Sequence, residues 1–190
     1  MAMRRTRWIV LGLAAIALLL AGGVAVGRDR PPTLVHDFVR QFDTAIEIRP
    51  APEAFVVLTA TLDGVTRRAI RATDSTRIVF RAAVPPRAEL RVSLGVPEDA
   101  RAMPGDGILL RLLLARGETD GPLQYYVRHL NPHRNRMDRG WQDVTLNLSE
   151  FAGDTVRVFL NTNFTPGPDA EPGAPTQGLA LWGEPRIVAR

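Results

Sequence analysis

Residues 55–72 read FVVLTATLDGVTRRAIRA. The central Asp63-Gly64 suits the left-handed dihedrals of a two-residue hairpin turn, and the flanking runs are rich in β-branched residues. The stretch therefore predicts two antiparallel strands, Phe55 to Leu62 and Val65 to Ala72.

Downstream the same period of two continues. Ile78, Phe80, Ala82 and Val84 alternate with polar or smaller neighbours, and Leu90, Val92 and Leu94 form an inner face with Arg91 and Ser93 outside. Residues 108–115 are more continuously apolar, the pattern of a central strand covered on both sides. Further strands are expected at 124–130, 142–148, 155–162, 178–182 and 186–189, with Pro85, Pro86, Pro97, Pro104, Pro122, Pro132 and Pro185 between or at the ends of runs. Many short strands with turn residues between them predict an all-β fold, an antiparallel β-sandwich. The Pro/Gly-rich segment 165–177 reads as a surface loop.

Upstream the pattern changes. Leu34, Val35, Phe38, Val39 and Phe42 fall at helical spacing, which predicts a short helix, preceded by a polar linker stiffened by Pro31-Pro32. Before it, Trp8 to Gly27 is an uncharged run of 20 residues, long enough as a helix to span about 30 Å of hydrocarbon. Arg4, Arg5 and Arg7 precede the run and hold the N-terminus in the cytoplasm by the positive-inside rule, and Trp8 suits the membrane interface. The run also parses as a signal peptide with Ala25-Val26-Gly27 as its cleavage site, but its full spanning length favours a retained anchor. The expected organisation is a basic cytoplasmic N-terminus over 1–7, a transmembrane anchor or signal peptide over 8–27, a linker and short helix over 28–42, and a sandwich over 43–190. The corresponding location is a bacterial-type inner membrane, with the C-terminal domain periplasmic or extracellular.

The 190 residues contain no cysteine, and all 24 basic side chains are arginine. Disulfides, thiolate metal sites and a thiol nucleophile are thereby excluded, as are Schiff-base lysines and the lysine of a phosphate loop. The net charge of +4 belongs to the first 30 residues, where five arginines face one acid. The remaining 19 arginines are balanced by the remaining 19 acids, so no basic stripe marks a nucleic-acid partner.

Residues 140–163, GWQDVTLNLSEFAGDTVRVFLNTN, carry a tryptophan, a strand ending in Leu148-Ser149, a Phe151-Ala152-Gly153 turn and an apolar strand. This pattern resembles the C-terminal half of galactose-binding-domain-like jelly rolls. Residues 180–185, ALWGEP, are similar to the closing strand of such modules, and Pro104 to Gly107 to their mid-domain turn. The resemblance implies an eight- or nine-stranded jelly roll, usually a non-catalytic binding module. It transfers no ligand, and no calcium-ligand set can be matched residue by residue.

No constellation marks an enzyme. His129 and His133 are separated by Pro132, with Asp138 the only carboxylate close by in sequence, too few ligands for zinc; no metal or cofactor is expected. Ser75, Ser93 and Ser149 lie in no nucleophile elbow. Asp138 and Asp143 flank Trp141, yet nothing distinguishes an acid from a base. The most distinctive surface candidate is 125–141, YYVRHLNPHRNRMDRGW, with Tyr125, Tyr126, Arg128, His129, His133, Arg134, Arg136 and Arg139 as contact residues. Arginine and tyrosine favour interfaces and flat sugar faces. In a strand, one of the two tyrosines should point inward, and Trp141 is expected in the core.

The expected function is that of a membrane-anchored, extracytoplasmic binding module, an accessory or assembly subunit whose partners are the lipid bilayer and a membrane protein complex. The alternative is a carbohydrate-binding module for cell-wall or surface glycans.

Overall fold

The computed structural model describes residues 31–73, 75–100, 107–164 and 179–190. Eleven strands account for most of them: β1 (Thr33–Asp37), β2 (Glu47–Arg49), β3 (Phe55–Leu62), β4 (Val65–Thr73), β5 (Thr76–Ala83), β6 (Ala88–Gly95), β7 (Ile108–Arg116), β8 (Leu123–Leu130), β9 (Gln142–Asn147), β10 (Thr155–Phe164) and β11 (Leu179–Ala189). They form two antiparallel sheets. One has the order β3-β4-β11-β6-β9, with β1 also paired to β11, and the other has the order β2-β5-β10-β7-β8. The expected all-β sandwich is present. Among the described residues no helix is long and apolar enough to cross a membrane. The expected anchor at 8–27, with Arg4, Arg5, Arg7 and Trp8, lies outside them, as does the loop at 165–177.

Alternation dictates which side chains are covered. Ile78 and Phe80 of β5, Leu90 and Leu94 of β6, Leu110 and Leu112 of β7, Val158 and Leu160 of β10, and Trp182 of β11 are all essentially inaccessible and meet in one core. The β3–β4 hairpin turns at Asp63 (φ 47°) and Gly64 (φ 79°), both left-handed as a tight primed turn requires. Gly153 (φ 89°) likewise supplies the turn before β10.

Three expectations are corrected. Residues 33–37 form a strand rather than the start of a helix, because β11 offers them a ladder from Thr33↔Ala189 to Asp37↔Arg186. The helical spacing survives as a single turn: the Asp37 carboxylate accepts from the backbone N–H of Val39 and Arg40, both at 3.1 Å, and Phe38 and Val39 enter the core. Second, β7 is next to the edge of its sheet, not central. Its outward Leu113 is instead covered with Val79, Ala115 and Phe159, and the Phe159 ring lies 5.8 Å from the Arg77 guanidinium and 5.5 Å from that of Arg157. Arginine stems thus roof an apolar patch on the outside of the sandwich. Third, 179–189 is one strand with an irregularity between Gly183 and Arg186, where Glu184 adopts φ 44° beside Pro185.

Candidate functional site

The expected contact segment begins on β8, an edge strand. Its pairing slips between Leu112↔Tyr126 and Leu113↔Gln124, which leaves Tyr125 as an extra residue. The bulge cancels the alternation, so both Tyr125 and Tyr126 pack against the core. The Tyr125 ring meets Phe151 edge-on at 5.6 Å. Burial raises the Tyr125 phenol above its ordinary range, and the nearby Glu150 carboxylate adds to the shift while Arg116 opposes it. Neither ring is a free stacking platform.

Beyond β8, residues 131–141 cross to the other sheet around Asp138. This buried carboxylate accepts from Arg128 Nη2 at 3.1 Å and from the Asn131 backbone N–H at 3.0 Å. Asn131 Oδ1 accepts from the Arg134 N–H, and Arg139 Nε donates to the Pro132 carbonyl. Arg128 and Arg139 are therefore employed in holding the loop. His129, His133, Arg134 and Arg136 are exposed around its rim with Met137. Among the described residues no group of three or more His, Asp or Glu side chains could hold a metal.

A different cluster lies where the loop reaches the outer face of the six-stranded sheet. Trp141 is not in the core. Its half-buried ring packs outside the main core against the cluster of Leu62, Ala69 and Leu181, which Leu58 and Ala60 also cover, and Nε1 donates to the Val65 carbonyl at 2.8 Å. Gly183 and Gly95 make this possible. A Cβ on Gly183 would stand 2.7 Å from Trp141 Cζ3, and one on Gly95 3.2 Å from both Cε3 and Cζ3. The Arg67 guanidinium stands 5.9 Å from the ring centroid, Nη2 donates to Asp143 Oδ2 at 3.2 Å, and Nη1 reaches Glu184 Oε2 at 3.5 Å. Ser93 Oγ donates to the other Asp143 oxygen at 2.6 Å. Asp143 is held from two sides, yet its side chain is 68% exposed. The cluster is an indole, a fixed guanidinium and an oriented open carboxylate on rigid strands, a combination that can pack a flat apolar face and bond adjacent hydroxyls.

Glu184 joins this shelf to a notch. On one side β11 is paired by β4 as far as Gly183 and by β1 from Arg186 onward, so the lane is interrupted between them. A cavity of about 200 Å³ fills the gap, lined by Leu34, Asp37, Val39, Arg40, Arg68, Glu184 and Arg186. Sequence reasoning missed Arg67, Arg68, Ser93 and Glu184, which are far apart in the chain. The one local signal was Gly-Glu-Pro inside a strand, the composition of a bulge.

No family model matches the chain. Among curated proteins, an uncharacterized protein of Archaeoglobus fulgidus is 31% identical over 105 residues, which are 55% of this chain and 25% of that protein. The chain thus spans about a quarter of the length of the curated relative it matches. Among solved structures, the CBM51 carbohydrate-binding module from Clostridium perfringens GH95, determined with methyl-galactose, is similar with a TM-score of 0.52 at 12% identity, over 81% of this chain and 99% of that one. The M60 catalytic domain structure with two CBM51 domains from Clostridium perfringens ZmpB gives a TM-score of 0.48 at 12% identity, over 77% of this chain and 14% of that one. The chain has the β-sandwich fold seen in carbohydrate-binding modules.

Proposed function

We propose that this chain is a non-catalytic glycan-binding module, held outside a bacterial-type cytoplasmic membrane by residues 8–27. The observation that carries the reading is the shelf on the six-stranded sheet: the Trp141 ring seated on Gly95 and Gly183, beside an Asp143 carboxylate that Arg67 and Ser93 orient but leave open to solvent. A sugar ring presents one apolar C–H face and a rim of hydroxyls; the indole suits the first and the carboxylate and guanidinium the second. Ser93 on the shelf is bonded to a carboxylate and not to a histidine that could take up its proton, so the arrangement supports recognition rather than hydrolysis. Fold likeness supports glycan binding ahead of an accessory-subunit role. In this reading the exposed His133, Arg134 and Arg136 of the 131–139 loop, with His129 on β8, do not contact the ligand.

The full chain in detergent micelles, screened against an array of neutral and acidic oligosaccharides, should show saturable binding that Trp141→Ala and Asp143→Ala abolish. Binding to no member of the array would overturn the reading. A protease-accessibility assay on spheroplasts tests the topology: the sandwich should be cut from the outside, and protection there would refute export.

A further inference from the structure

Resting on the glycan reading, we infer that the notch between β1 and β4 is a subsite for a sugar carboxylate, so that the preferred ligands are acidic glycans containing hexuronic acids. The charge arrangement points there. Three guanidinium groups and two carboxylates line the cavity. Arg186 Nη1 is paired to Glu184 Oε2 at 2.6 Å, and Arg40 Nε to Asp37 Oδ2 at 3.4 Å. Arg68 has no ion pair or hydrogen bond among the described residues, which leaves one guanidinium in the gap without a partner. Neighbouring residues on a strand face opposite ways, so β4 places Arg67 on the shelf and Arg68 at the notch. Because Arg67 also bonds Glu184, which lines the notch, the shelf and the notch share that carboxylate.

The size and build of the notch fit the same ligand. Drug-sized pockets begin near 300 Å³, so a 200 Å³ cavity admits something on the scale of a single sugar ring. Glu184 holds a left-handed backbone that costs a non-glycine residue free energy, and the bulge it creates opens the lane between β4 and β1. A planar guanidinium matches a carboxylate in two parallel hydrogen bonds, while Asp37 and Glu184 accept from hydroxyls and repel a second anionic group. One sugar acid in the notch and the next ring against Trp141 uses every group described.

The test compares matched pairs: α-1,4-trigalacturonate with its C6-reduced neutral counterpart, and the same pairing for glucuronate-containing trisaccharides, titrated into the full chain in detergent micelles by calorimetry at two salt concentrations. The acidic member of at least one pair should bind about tenfold or more tightly than the neutral member, with an advantage that shrinks at high salt. Arg68→Gln should remove that advantage, leave neutral binding within about twofold, and leave the melting temperature unchanged, since Arg68 holds no partner. Trp141→Ala should weaken both members of a pair. Equal affinity within every pair, or an acidic preference that survives Arg68→Gln, overturns the notch assignment while glycan binding itself stands. No binding to these pairs, with neutral glycans bound on the array, also overturns it; no binding to any glycan overturns both proposals.

Discussion

Gly183→Ala puts the seating of Trp141 to a quantitative test. The added methyl would lie 2.7 Å from Cζ3 and 3.1 Å from Cε3 and Cη2 of the indole. Ordinary carbon–carbon contact begins near 3.5 Å, so the nearest approach is short by about 1 Å. Gly183 sits in a strand paired to β4 on one side and β6 on the other, so its backbone cannot retreat. The ring must lift instead. Overpacking of this kind costs about 1–3 kcal/mol, and a lifted indole also loses the Nε1 bond to Val65, worth about 0.5–1.5 kcal/mol. The expected destabilisation is therefore roughly 2–4 kcal/mol, or a fall in melting temperature of roughly 4–16 °C for a chain of this size. Urea unfolding followed by circular dichroism measures it. Gly121→Ala is the control, because its Cβ would meet nothing within 4 Å and should stay within about 0.5 kcal/mol. In a Trp8→Phe background, the emission of Trp141 should also shift to the red against the constant signal of buried Trp182. A Gly183→Ala protein as stable as the Gly121→Ala control, with unshifted emission, would refute the seating of the ring and the shelf built on it.

Three further outcomes follow from the same contacts. Asp138→Ala strands the Asn131 N–H in a buried position and deletes a charge-assisted bond to Arg128, so urea unfolding should show a loss of about 3 kcal/mol; a loss under 1 kcal/mol would mean the loop does not depend on that carboxylate. The folded state holds the Tyr125 proton more tightly than the unfolded chain does, so this stabilisation is complete below pH about 10 and is lost as pH rises through the raised value. Urea midpoints of Tyr125→Phe should accordingly decline less steeply above pH 10 than those of the parent, and parallel declines would contradict the burial of the phenol. His133→Ala combined with Arg136→Ala, both on the exposed loop rim, should leave glycan affinity within about twofold and stability within about 0.5 kcal/mol per substitution; loss of binding would return the site to that loop.

The elements that could be read from the sequence are those whose geometry is encoded locally. Asp63-Gly64 names its own turn, and the inward faces of β5 and β6 follow from a period of two that no neighbour has to enforce. The failures occur where a partner decides. Leu34 to Phe42 carries a helical pattern, yet its first part joins the strand Thr33–Asp37 because β11 supplies a ladder from the other end of the chain. Tyr125 and Tyr126 should have faced opposite ways, but a bulge set by pairing with β7 turns both inward. Trp141 was expected in the core; the absence of side chains at Gly95 and Gly183, 46 residues before it and 42 after it, gives it a seat outside the sheet instead. The shelf residues come from β4, β6, β9 and β11, and only sheet order brings them together, so no local spacing could have assembled them.

The pairing of β1 with β11 has a mechanical meaning. A pull on the chain ahead of Thr33 enters the sandwich through a short ladder whose far end is Asp37, and Asp37 is itself a wall of the notch. A ligand held in the notch would resist that pull across the length of one strand, so tension between tether and sugar would run along β1 and Arg186. An antiparallel ladder loaded along its axis shares force among all its hydrogen bonds at once, whereas one peeled from its end breaks them singly. With the proposed tether and the proposed subsite, load would thus enter at Thr33 and leave at Asp37, the two ends of one strand.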